Sequence, residues 1–149
     1  MIGFNRRQVI AGGAGAIAVA AFSGAPAHAA NDSADLIKKF TGGKATTEGK
    51  VKLDLPEIAE NGNTVPMTVS VESPMTEQSY VTELLVVGDG NPNGGIATFH
   101  FTPLSGAAEA NTRIRLAATQ NITAVAKMND GSFFTASKQV KVTIGGCGG

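Results

Sequence analysis

One cysteine, one tyrosine and no tryptophan limit what this chain of 149 residues can be. A lone cysteine excludes an internal disulfide and any multi-cysteine zinc set. Two histidines, His28 and His100, are few. His28 falls in an N-terminal segment read below as removable, which leaves too few ligands for a blue-copper site of two histidines and a cysteine. Twelve Lys/Arg balance twelve Asp/Glu, and no basic patch argues for nucleic acid or a membrane surface as a partner. The longest apolar run, from Val9 to Phe22, is about 14 residues and contains Gly12, Gly13 and Gly15. That is short of the roughly 18 to 20 needed to span a bilayer.

What is present at the start has an order. The basic pair Arg6-Arg7 precedes the apolar run, and the small-residue site Ala27-His28-Ala29 follows it. Basic, apolar and A-x-A segments in that sequence predict a secretory signal over residues 1–29. The paired arginines resemble the bacterial signal read by the twin-arginine translocase, which predicts export to the periplasm of a protein already folded. The letters Gly13-x-Gly15-x-x-Ala18 mimic a dinucleotide fingerprint, but they sit inside this segment and follow no strand. Without residues 1–29, ten Lys/Arg face twelve Asp/Glu, a formal charge of −2.

The rest, residues 30–144, reads as one domain. Residues 31–43 predict a short helix. Asp32 or Ser33 is placed to cap it, Leu36, Ile37 and Phe40 share a face, and Gly42 stops it. After Gly43 the hydrophobic period becomes two. Val51/Leu53/Leu55, Val65/Met67/Val69/Val71, Phe99/Phe101, Ile114/Leu116, Ile122/Ala124/Ala126/Met128 and Val140/Val142/Ile144 each alternate with polar residues. Such alternation marks strands with one wet face. Asn61-Gly62 and Asn129-Asp130-Gly131 are turn signals, and Gly88 to Gly95 reads as a longer loop. Glu57 and Glu60 read as solvated loop residues. About seven short strands predict an all-β, immunoglobulin-like antiparallel sandwich without the Cys/Trp/Cys core of antibody domains. One strand departs from the pattern. Leu84-Leu85-Val86-Val87 is apolar on both faces and must be covered on both, either by the N-terminal helix or by a partner subunit.

No catalytic constellation is apparent before the last five residues, Gly145-Gly146-Cys147-Gly148-Gly149. Ordering glycine loses more backbone freedom than ordering any other residue, and this tail has no large side chain to bury in return. The sequence therefore predicts a mobile arm over residues 145–149, thin enough to enter a narrow channel, with a thiol reaching roughly 10 Å beyond the sheet. A free thiol in an oxidising compartment is a liability unless it is used. A thiol on a loose end has no fixed catalytic partner and suits activation inside another protein's site. Two uses stay open on residues alone: a covalent carrier, or a structural or binding module cross-linked to a partner through Cys147.

Four stretches resemble the SoxY family of bacterial sulfur oxidation: 51–76 (VKLDLPEIAENGNTVPMTVSVESPMT), 97–106 (ATFHFTPLSG), 112–117 (TRIRLA) and 140–149 (VKVTIGGCGG). The resemblance implies a non-enzymatic sulfur carrier that pairs with SoxZ and holds sulfur intermediates on Cys147, with Gly145, Gly146, Gly148 and Gly149 as a swinging arm. It implies that the c-type cytochrome SoxAX loads thiosulfate as a cysteine S-thiosulfonate. SoxB, a hydrolase, then releases sulfate, and SoxCD oxidises the remaining sulfur where it is present. It implies no cofactor or metal on the carrier itself. Ubiquitin-like sulfur carriers also end in Gly-Gly, but they work in the cytosol, and the export signal argues against that class.

Overall fold

The computed structural model describes residues 31–147, and the expectations for the signal segment, Arg6, Arg7, Gly148 and Gly149 fall outside them. Helix α1 (Ser33–Thr41) opens the described chain. Nine strands follow among the described residues: β1 (Thr47–Glu48), β2 (Val51–Asp54), β3 (Ile58–Asn61), β4 (Val65–Val71), β5 (Val81–Gly88), β6 (Gly95–His100), β7 (Ala108–Ile114), β8 (Gln120–Met128) and β9 (Phe133–Ile144). They form two sheets. One runs β1-β9-β8-β5-β6, with β3 also paired to β9, and the other runs β2-β4-β7.

The all-β sandwich expected from alternation is the fold. β4 shows why the pattern was readable: Val65, Met67, Val69 and Val71 are all buried, while Pro66, Thr68 and Ser70 are not. The inward sets of both sheets meet in one core that includes Met67, Val69, Leu84, Val86, Leu116, Ile122 and Val140. The count of about seven strands is corrected to nine. The two additions, β1 and β3, are short and pair parallel to β9. β3 lies in the stretch read as a solvated loop. With four residues and only Ala59 buried, it had too little alternation to register. The Glu57 and Glu60 side chains are indeed exposed, while the Glu57 carbonyl accepts the Lys141 N–H.

Helix α1 covers the apolar strand. Leu84 and Val86 point into the core, whereas Leu85 and Val87, also buried, lie outside that cluster on the opposite face, where α1 packs on β5. Phe40 meets Phe133 edge-on at 5.8 Å between ring centroids. The burial of this strand thus needs no partner subunit. Gly42 ends the helix in the left-handed region (φ 62°) and donates to the Lys39 carbonyl, the expected stop signal. Asp32 takes the N-cap position but makes no side-chain cap. Its Oδ1 instead accepts the Gly94 N–H (2.6 Å), and Asn31 Nδ2 donates to the Gly88 and Asn91 carbonyls. The helix is therefore tied to the 88–95 loop, and Asn31 Oδ1 accepts the Ser33 N–H at 3.3 Å.

The β8–β9 hairpin closes at Asn129-Asp130-Gly131 as predicted. There Ser132 donates to Asp130 Oδ1 through Oγ (2.6 Å) and through its N–H (2.9 Å). These bonds, the hydroxyl's first, hold the Asp130 carboxyl below its ordinary value. A depressed carboxylate contributes stability above its unfolded-state value and loses it as pH falls through the lower folded-state value. Ser132→Ala should therefore move the Asp130 titration upward, which a carbon-detected NMR titration below pH 5 would register.

Candidate functional site

The chain's sole cysteine is free and exposed. The path that brings it there begins in β9, twelve residues long. β9 pairs with β8 from Phe133 to Val140 and then passes to β3, whose Asn61 stands opposite Ile144. Ile144 is the last apolar residue of the strand and is 66% exposed, so its side chain does not anchor the chain end.

Beyond Ile144 the chain is held by main-chain hydrogen bonds. The Gly62 N–H donates to the Ile144 carbonyl and the Leu116 N–H donates to the Gly62 carbonyl, each at 2.8 Å. The Gly146 N–H donates to the Leu116 carbonyl at 2.8 Å, and the Cys147 N–H reaches Asn63 Oδ1 at 3.1 Å. Gly146 is buried and Cys147 is not. The thiol therefore leaves the surface one residue after a docked one.

Three glycines make this approach possible. A Cβ on Gly62 would strike the Leu116 carbonyl oxygen and lie 2.7 Å from the Gly146 nitrogen. A Cβ on Gly145 would strike the Ala117 carbonyl oxygen. A Cβ on Gly146 would lie 2.7 Å from the Gly62 carbonyl oxygen and 3.0 Å from the Asn63 nitrogen. Contacts under 3.0 Å are not tolerated between such atoms, so the backbones can close only where no side chain intervenes. The expected arm over 145–149 thus has an unexpected root. Gly145 and Gly146 are placed against the sandwich, and glycine there serves close packing.

The receiving surface has its own support. Asn63 follows Asn61, whose Oδ1 accepts the Asn63 N–H at 3.0 Å and shapes the turn after β3. The Arg115–Ala117 segment is fixed by buried Asn91, which donates to the Arg115 carbonyl and accepts from the Ala117 N–H, both at 2.9 Å. The same Oδ1 accepts from Gln120 Nε2 at 2.7 Å. Gly62, Asn63, Asn91 and Ala117 were not singled out from sequence. Asn61-Gly62 registered only as a turn, and Asn91 only as part of a glycine-rich loop. His100 lies elsewhere, its Nδ1 3.3 Å from Glu83 Oε1 on the β5–β6 pair. Among the described residues no three His, Cys, Asp or Glu side chains converge.

Fold and site together define an immunoglobulin-like β-sandwich protein that displays one terminal thiol on a glycine-built root. The family model for sulfur oxidation protein SoxY matches residues 37–147. The chain belongs to the SoxY family. The sulfur carrier protein SoxY from Chlorobium limicola f thiosulfatophilum is 31% identical, with a TM-score of 0.63 over 74% of this chain and 96% of that one. A superoxide reductase (neelaredoxin) from Ignicoccus hospitalis is 18% identical, with a TM-score of 0.57 over 63% of this chain and 80% of its own. The superoxide reductase from Nanoarchaeum equitans is 12% identical, with a TM-score of 0.55 over 65% and 100%. At those identities the likeness is one of fold alone. No curated protein matches.

Proposed function

We propose that this protein carries sulfur through thiosulfate oxidation as a covalent load on Cys147. The observation that carries the reading is the exposed, unpaired Cys147 at the end of a SoxY-family sandwich. The carrier title of the 31%-identical Chlorobium protein supports it. Loading joins the thiol to thiosulfate. The Cys147 S–H bond breaks, a sulfur–sulfur bond forms to the outer sulfur of thiosulfate, and one proton and two electrons leave. The electrons need an acceptor, the role proposed for the SoxAX cytochrome. Water then cleaves the bond between the sulfane sulfur and the sulfonate, releasing sulfate and leaving a persulfide on Cys147. That step is proposed for SoxB, with SoxCD oxidising the persulfide where it exists. The carrier supplies only the sulfur attachment atom and its delivery.

SoxZ is the proposed subunit partner. Because α1 already covers the outer face of β5, SoxZ binds elsewhere on the sandwich. Export through Arg6-Arg7 and cleavage after residue 29 place the mature chain in the periplasm in this reading.

The test is the intact mass of protein recovered from the periplasm of thiosulfate-fed cells. The expected mass is that of a chain starting after residue 29 plus a sulfane sulfur and a sulfonate, with fragment ions assigning the increment to Cys147. Only bare chain, or an increment placed elsewhere, refutes the carrier reading.

A further inference from the structure

Three of the four stretches that carry the family resemblance meet at one place: Gly62 and Asn63 from 51–76, Leu116 and Ala117 from 112–117, and Gly145 to Cys147 from the terminal stretch. The carrier reading uses only the last. The other two make a receptor for it. The hold is of an unusual kind. It consists of the Gly146 N–H on the Leu116 carbonyl, the Cys147 N–H on Asn63 Oδ1, and the contacts of Gly145 and Gly146 against Ala117 and Gly62. No apolar side chain beyond β9 is buried to reinforce it, and Ile144 points largely into solvent. Two hydrogen bonds, with the close glycine contacts, offset the cost of ordering three residues of backbone by only a narrow margin. The docked root is thus favoured by about the worth of one hydrogen bond, and a modest input releases it.

We propose that the Gly62-Asn63 turn is a latch for the carrier arm and that Asn63 is a positioning residue for Cys147. In the latched form the Asn63 carboxamide holds the backbone of the cysteine itself, so the thiol is presented at a defined point on the rim of the sandwich. In the released form the arm gains residues 145 to 147 as free chain, roughly 10 Å of additional reach at about 3.3 to 3.6 Å per residue. A shallow partner site takes the thiol from the latched form, whereas a deep channel draws the root out and breaks two hydrogen bonds in doing so. The glycines therefore serve two ends: Gly145 and Gly146 permit the latch, and their lack of side chains permits entry once it opens. The positioning role rests on the carrier reading, but the latch itself is a property of the bare chain.

The experiment is residue-resolved amide hydrogen exchange on the mature, unloaded protein with no partner present. Wild-type Gly146 and Cys147 amides should exchange more slowly than in an unstructured peptide of the same sequence. Asn63 is exposed, so Asn63→Ala should leave the thermal midpoint unchanged while the Cys147 amide exchanges about two- to ten-fold faster, the span one hydrogen bond supplies. Asn63→Asp keeps an acceptor oxygen and should restore protection. A structural role alone would move the midpoint and would not be rescued at two amides only. Peptide-like exchange at Gly146 and Cys147 in the wild type, or protection unaltered in Asn63→Ala, overturns the latch. Either result leaves the carrier reading to stand or fall on the mass carried by Cys147.

Discussion

Cys147→Ser should reduce thiosulfate oxidation to the uncatalysed background while leaving the protein folded. The size of the loss follows from bonding. The proposed intermediates hang on a sulfur–sulfur bond, and a serine oxygen cannot form it, so the loss is total rather than graded. The retention of fold follows from placement. Cys147 is exposed, and among the described residues its one hydrogen bond to the fold uses its backbone N–H, which serine also possesses. Surface substitutions of this kind change stability by about 0.5 kcal/mol or less. Reconstituted activity with thiosulfate, measured beside a circular-dichroism melt, checks both halves. Activity surviving in the serine variant would move the sulfur to another atom. A lowered melting point would give the thiol a structural role.

Asn91→Ala should cause a large loss of stability for a single polar substitution, about 2–4 kcal/mol. Asn91 is 4% exposed, and its side chain satisfies three groups at once: the Arg115 carbonyl, the Ala117 N–H and the Gln120 carboxamide. Alanine leaves the first two without these partners. Gln120 retains the Ala118 carbonyl at 3.1 Å. An orphaned buried group costs more than the bond was worth, because it has lost water as well. Urea denaturation should show a lower midpoint with an unchanged slope. The effect should also travel. Ala117 lies against Gly145, so loosening the 115–117 segment should speed exchange at Gly146 even though Asn91 does not touch the arm. A stability loss below about 1 kcal/mol, from the midpoint shift and the slope, would remove Asn91 from the support of the arm's receptor.

The sandwich was legible because its strands are amphipathic in the simplest way. β4 and β8 announce their inward faces residue by residue, and the doubly apolar Leu84–Val87 announces a layer on each side. The helix that supplies the second layer was legible too, from Leu36, Ile37 and Phe40. What escaped was held together by backbone. β1 and β3 contribute main-chain bonds to β9 with few buried side chains, so hydrophobic period could not reveal them. Asn91 hides in G-D-G-N-P-N-G-G, where nothing distinguishes a buried carboxamide from a solvated one.

The glycine tail is the sharper lesson. Local sequence reads Gly145-Gly146 as freedom, because glycine is the residue with most freedom to lose. It reads equally well as closeness, because glycine is the residue without a Cβ. Only the position of Gly62 and Ala117, distant in sequence, decides which property is used at the root. The thiol itself was legible for the opposite reason: a sole cysteine set among glycines has nothing local to confuse it.

The strand that leads to the thiol is also the one with three strand neighbours. β9 is bonded to β8 along its first eight residues, to β3 along its last four, and to β1 near its start. In the proposed carrier role, a pull on the terminal sulfur is passed into β9, where these ladders resist as a group in shear instead of unzipping one rung at a time. A carrier of the proposed kind keeps its fold under such a load instead of unravelling from the end being pulled.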